Sequence, residues 1–207
     1  MGLDVLRDRI DWCQQYISGP HPSFRFRYLD VYSERYNKAG RPIDKSFRFD
    51  FPSDHFDIVY LYGVVTNMTE DHTRIYLQDI SRLVKPTGRV FISAFVEENV
   101  PNATVNPPGY LGFRFSGPLH HVLYERQYFR LMLEGSGLTI EEEERMPMEY
   151  FETQTAFYLE KSQLAAAGNE VKASQQGIAT SPETSVERAW HDFCQMLFAA
   201  NAFLYVD

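Results

Sequence analysis

Apolar residues along the chain switch repeatedly between two spacings. Residues 2–6 form a short apolar run broken by Asp4, and residues 7–17 then place Ile10, Cys13 and Ile17 on one helical face. A Ser-Gly-Pro-His-Pro stretch at 18–22 stops that helix, after which Phe24, Phe26 and Tyr28 alternate with Arg25 and Arg27, as in a half-exposed edge strand. Asp30 closes the strand. A polar loop with Gly40 and Pro42 leads to residues 57–62, whose nearly continuous apolar run predicts a strand buried on both faces of a parallel sheet.

Residues 70–84 predict a helix. Thr69 is a suitable N-cap, Glu70 and Asp71 sit near the positive end of the helix dipole, and Tyr76, Ile80, Leu83 and Val84 recur at helical spacing. Lys85-Pro86-Thr87-Gly88 reads as a turn and residues 89–96 as another apolar strand. About 25 residues rich in Pro and Gly follow, and loops of that length are usually functional lids or disordered. Helical spacing returns at 124–133, Gly135-Ser136-Gly137 stops it, and residues 138–145 and 154–161 form two strands. The connection between them is too short for a crossover helix, so they pair antiparallel. Residues 163–185 turn to Ala, Gly, Ser, Gln and Thr, a composition that predicts a flexible linker. Residues 186–207 then predict a C-terminal helix, with Ala189, Trp190, Phe193, Met196, Leu197 and Phe203 at helical spacings. The expected organisation is one α/β domain over 1–162, a linker and a docked helix.

The 207 residues carry 20 Lys plus Arg against 28 Asp plus Glu, a formal charge of −8. That balance disfavours nucleic acid and anionic membrane as partners, because both need clustered positive charge. No run has the length of a membrane span and the first 20 residues lack the pattern of a signal peptide, so a cytoplasmic protein is expected. Cys13 and Cys194 lie at opposite ends of the chain and are read as reduced and buried. His120-His121 is not read as a metal site: neighbours in a strand point to opposite faces, and no Cys or carboxylate cluster completes a ligand set. With Tyr110, Arg114, Tyr124 and Arg126 these histidines could line an acceptor pocket, or belong to an ordinary polar loop. No metal is expected.

The order of strands and helices implies an α/β, Rossmann-like, mostly parallel sheet ending in an antiparallel hairpin. Phe51-Pro-Ser-Asp-His-Phe-Asp-Ile-Val-Tyr60, Thr66-Asn-Met-Thr-Glu-Asp71 and Leu83-Val-Lys-Pro-Thr-Gly-Arg-Val-Phe-Ile-Ser93 carry a resemblance. In combination they resemble the class I S-adenosylmethionine-dependent methyltransferases, and the likeness extends back through Leu29-Asp30-Val31 to Gly2-Leu3-Asp4-Val5 and forward to Tyr158. The resemblance implies a sheet order 3-2-1-4-5-7-6 and S-adenosylmethionine as cofactor. Asp4, with Val5 beside it, stands where the family binds the ribose hydroxyls. Asp30 and Val31 stand where it contacts adenine, and Leu61, Tyr62 and Gly63 where it faces the methionine portion. Taken alone, Asp4 would serve equally as a helix cap and Asp30 as a turn residue.

Two features depart from the family. Its first strand and Gly-x-Gly turn would precede Gly2, so the chain is expected to be N-terminally truncated, with cofactor binding weakened. Asn67 stands where many relatives have His, so no catalytic base is carried over. Without the first strand, the strands at Leu3 and Ile58 each have an open edge. They can close on each other to give 3-2-4-5-7-6, accept a strand from another copy or partner, or leave the segment before Asp57 loosely attached. Residues 32–56 form a connection long enough for direct closure, which is the expectation. The function expected is methyl transfer to a small-molecule acceptor. The alternative is a non-catalytic methyltransferase-like binding module or gene fragment. A nicotinamide oxidoreductase is a distant third, since it would lack both the glycine fingerprint and a reason for the terminal hairpin.

Overall fold

The computed structural model describes residues 1–146 and 154–163. The expected linker and most of its surroundings, together with the expected C-terminal helix and Cys194, lie outside them. Among them eight strands and three α-helices follow in chain order: β1 Gly2–Asp4, α1 Arg7–Cys13, β2 Phe26–Tyr28, β3 Phe56–Leu61, α2 Glu70–Leu83, β4 Val84–Glu97, β5 Ala103–Val105, β6 Val122–Glu125, α3 Arg126–Gly135, β7 Leu138–Met146 and β8 Gln154–Lys161.

β4 is the central strand. It pairs in parallel with β3 and, through Phe95–Glu97, with β6, while β8 runs antiparallel along residues 89–94 and β7 antiparallel to β8. The run β3-β4-β8-β7 is the expected 4-5-7-6 part of the family order, with the expected antiparallel hairpin at its end. Alternation along β4 sends Val90, Ile92, Ala94 and Val96 into the main core, where they meet Tyr76, Leu77 and Ile80 of α2 and Phe129 and Leu133 of α3. Phe91 points to the opposite face, with Tyr60, Tyr62, Ala156 and Tyr158. α2 begins where its sequence demands: the Thr69 side chain accepts the His72 backbone N–H at 3.3 Å, which satisfies one of the helix's orphan donors.

Three expectations are corrected. Residues 85–88 do not form a separate turn but a bulge inside β4, between the pairs Phe56–Val84 and Ile58–Arg89. Gly88 permits this, because a Cβ there would meet the Asp57 carbonyl oxygen at 2.9 Å and Val84 Cγ2 at 2.7 Å. Tyr124 belongs to strand β6, and α3 starts two residues later with Glu125 as its cap, accepting the Tyr128 N–H at 2.7 Å.

The third correction concerns the sheet. Among the described residues, β1 pairs only with β2, as a two-stranded parallel sheet, and the one ladder of β3 is to β4. The expected closure of β1 onto β3 does not form. Residues 43–51 explain why: Ile43, Phe47, Phe49 and Phe51 pack into the core as a wedge against α2. Phe47 stacks on Tyr76 at 5.4 Å and Phe49 meets the same ring edge-on at 4.9 Å. The connection is long enough for closure, but its aromatic residues bury themselves where a closed sheet would bring β1.

Candidate active site

The space between β1 and β3 is a cleft of about 340 Å³. Leu3, Asp4, Val5, Leu29 and Val31 line one side, and Ile58, Val59, Tyr60 and Leu61 the other. Its floor is apolar, made by Phe49, Phe51, Tyr76, Ile80 and Leu83, and its mouth is more polar, with Tyr32, Ser33, Tyr36, Asn67 and His72. The Gly2 N–H donates to the Arg25 carbonyl and the Leu29 N–H to the Asp4 carbonyl, both at 2.8 Å. Gly2 and Asp4 therefore turn their peptide groups toward β2, and by strand alternation Leu3 turns its own toward the cleft.

Asp4 ends β1 and is 6% exposed. Its Oδ1 accepts the Leu6 N–H at 2.7 Å, so the carboxylate is fixed at the strand's carboxyl end beside the start of α1. The capping and ligand-binding readings are thus compatible, since one oxygen holds the turn while the side chain lines the cleft. Val31 is held firmly: its carbonyl accepts Asn37 Nδ2 at 3.0 Å, the same amide donates to Tyr28 Oη at 2.9 Å, and its N–H bonds to the Leu29 carbonyl at 2.9 Å. Gly40 is required here, because a Cβ would stand 2.2 Å from the Val31 oxygen.

Of the seven residues singled out in the sequence, Asp4, Val5, Val31 and Leu61 line this one cleft. The other three do not. Asp30 faces the surface, 3.4 Å from Arg41 Nε and accepting from Tyr28 Oη at 3.3 Å. Tyr62 lies on the opposite sheet face, stacked over Tyr60 with ring centroids 6.4 Å apart. Gly63, at φ +67°, forms the turn after β3: its N–H donates to Ser93 Oγ at 2.8 Å and its carbonyl accepts Thr66 Oγ1 at 2.6 Å and Asn67 Nδ2 at 3.0 Å. That network fixes Asn67, which is also 3.5 Å from Tyr36 Oη across the mouth.

Sequence reasoning passed over Tyr32, Tyr36 and His72. The two tyrosines stand in a loop treated as a mere connection, although two aromatics beside a polar turn were a legible signal. Arg35 ties that loop to the long segment after β4 through the Ser116 and Pro118 carbonyls at 2.9 and 3.3 Å. The histidines of that segment are packed among aromatics: His121 is 4% exposed, with Phe95, Phe113 and Phe115 edge-on at 4.9 to 5.2 Å. Among the described residues no group of three or more His, Cys, Asp or Glu could hold a metal ion, and no helix is long and apolar enough to cross a membrane.

Burial lowers the His72 pKa below its ordinary 6.5, with Asp71 opposing in part. The folded protein thus favours neutral His72, while the unfolded chain binds a proton as pH falls through about 6.5. Stability from this group is present above that value and lost below it. His72→Gln is expected to flatten the decline of the urea midpoint between pH 7 and pH 5.5; an unchanged slope would assign the decline to other groups.

With the geometry in hand, the chain can be placed among known structures. No family model matches it. It is similar to the PH0226 protein of Pyrococcus horikoshii, with a TM-score of 0.52 at 13% identity over 78% of this chain and 70% of that one. A SAM-dependent methyltransferase of Methanosarcina mazei gives a TM-score of 0.50 at 10% identity, covering 78% and 81% of the two chains. The mitomycin 7-O-methyltransferase MmcR also gives 0.50, at 15% identity over 77% of this chain, which spans 41% of that protein. The fold is that of the class I S-adenosylmethionine-dependent methyltransferases.

Proposed function

We propose that the chain is an S-adenosylmethionine-dependent methyltransferase acting on a small-molecule acceptor, impaired in these 207 residues by the open cleft between β1 and β3. The observation that carries the reading is the convergence of Asp4, Val5, Val31 and Leu61 on one cleft beyond the carboxyl ends of β1, β2 and β3, the side on which ligands bind in open α/β sheets. The residues fit the cofactor in part. The buried Asp4 carboxylate suits a ribose diol, the Val31 side suits an adenine ring, and Leu61 with the Gly63 turn would lie along the methionine portion. When bound, the cofactor supplies an electrophilic methyl group on its sulfonium, so the protein's task is alignment rather than acid-base chemistry. Asp30 and Tyr62 would have to swing from their present surroundings to take part.

Among the described residues lining the cleft, no glycine-rich turn offers a cradle of backbone amides. Several lost hydrogen bonds, each of about 1 kcal/mol, lower affinity by orders of magnitude. Calorimetric titration with S-adenosylmethionine is expected to give little or no heat at micromolar ligand. Binding of low-micromolar strength would refute the impairment and leave the open cleft without that consequence. The acidic net charge of −8 supports a small-molecule acceptor over nucleic acid.

A further inference from the structure

The cleft between β1 and β3 extends well past the residues a cofactor would touch. Its lining follows β3 from Phe56 at the start to Leu61 at the end, about 17 Å at roughly 3.3 Å per residue. Asp4, Val5, Val31 and Leu61 gather at the carboxyl end. At the amino end Phe56 meets Phe51 edge-on at 5.0 Å, and the neighbouring His55 N–H donates to the Leu83 carbonyl at 2.8 Å. Ile80 and Tyr76 continue that wall along α2, with Phe49 against the Tyr76 ring. Tyr76 carries the one hydroxyl of these six side chains, and burial pushes its pKa up, as weakly polar surroundings do.

We infer that this apolar end is a binding site of its own, for a small molecule with an arylalkyl body and an uncharged polar end, and that it excludes anions. The cleft volume of about 340 Å³ lies in the range of small-molecule pockets, and apolar cavities of about 150 Å³ already stay dry and take up benzene. The rings of Phe49, Phe51, Phe56 and Tyr76 favour an aryl body through edge-on contacts. Charge specifies the head. Among the described residues that line the cleft there is no Lys or Arg side chain, and the carboxylates there belong to Asp4 and Glu34. Burial disfavours the charged form of His72 at the mouth. A carboxylate or phosphate drawn in would lose water without gaining a cation, whereas a hydroxyl meets the polar mouth of Ser33, Tyr36 and Asn67. The inference goes beyond the cofactor reading and does not depend on it, since none of the six side chains belongs to the carboxyl end.

Two probes share one body and differ only in the head: 4-phenylbutan-1-ol and 4-phenylbutyrate. Each is titrated into the full chain and followed amide by amide. The alcohol is expected to shift Phe49, Phe51, Ile58 and Ile80 with a dissociation constant of about 0.1 to 1 mM, and the butyrate to bind at least about ten-fold more weakly. Butyrate binding as tight as the alcohol's, shifts confined to the exposed Trp12 and Tyr16, or no shifts with either probe would overturn the proposal. A cavity-filling variant supplies the second arm. Ile43 is half-buried, lines the cleft and lies outside the strands and helices, so Ile43→Trp occupies the space without removing packing. With its urea midpoint unchanged, this variant is expected to bind the alcohol at least about ten-fold more weakly than the parent chain. Unchanged affinity would place the alcohol elsewhere and overturn the site. Failure of these probes leaves a cofactor titration at the carboxyl end untouched, and the reverse holds as well.

Discussion

The backbone amides of Gly2 and Leu29 are expected to exchange with solvent about a thousand-fold faster than those of Val90 to Ile92. A thousand-fold corresponds to about 4 kcal/mol in opening free energy, the gap expected between a peripheral unit and the global core. β1 and β2 are three residues each and, among the described residues, pair only with one another, and a two-stranded sheet by itself is marginal in water. Leu3 and Leu29 are only partly buried against the core, and the Arg27–Asp50 ion pair at 3.2 Å is solvent-exposed and contributes little. β4, by contrast, pairs with three strands. Native-state exchange read by NMR decides the matter: comparable protection in the two regions would mean that the cleft does not weaken the first 31 residues.

Asp79→Ala is expected to destabilise the fold by about 3 kcal/mol and to loosen the floor of the cleft. The Asp79 carboxylate is fully buried in α2 and accepts Arg82 Nε at 2.6 Å, a second Arg82 nitrogen at 3.0 Å and the Phe49 N–H at 2.7 Å, with Arg48 at 3.4 Å. Arg82 in turn donates to the Phe49 and Phe51 carbonyls at 3.1 and 2.8 Å. One carboxylate thus anchors the aromatic wedge of residues 47–51 to the helix. Removing it strands a partly buried guanidinium and a buried amide, a loss that typically costs several kcal/mol. Urea unfolding measures it, and a loss under about 1 kcal/mol would show that the wedge is held by its rings alone.

Helix α2 and strands β3, β4 and β8 were legible because local signals agree with their burial: a Thr cap, a 3.6-residue apolar spacing, and nearly continuous apolar runs. Tyr124 was misread because the apolar strand residues Val122, Leu123 and Tyr124 run directly into α3, and Glu125 is an uncommon cap. Pro86 and Gly88 signalled a turn correctly in kind, yet tertiary pairing with Phe56 and Ile58 absorbed it into a bulge. For the site, strand ends were legible, which is why Asp4, Val31 and Leu61 share a cleft. The positions of Asp30 and Tyr62 were not, because one residue of rotation past a strand end decides whether a side chain faces the cleft or the other surface. The wedge of residues 43–51 was missed for a different reason: Phe47, Phe49 and Phe51 alternate with Arg48 and Asp50, a spacing that marks a strand and not a loop whose rings pack on a helix.

The most direct measurement of the proposed site is a titration of the full chain with S-adenosylhomocysteine to millimolar concentration, followed amide by amide. Shifts confined to Leu3 to Val5, Leu29 to Val31 and Leu61 to Gly63, with a dissociation constant above about 100 μM, are the expected result. No shifts at these amides, or shifts concentrated around His120 and His121 instead, would contradict a cofactor site between β1 and β3.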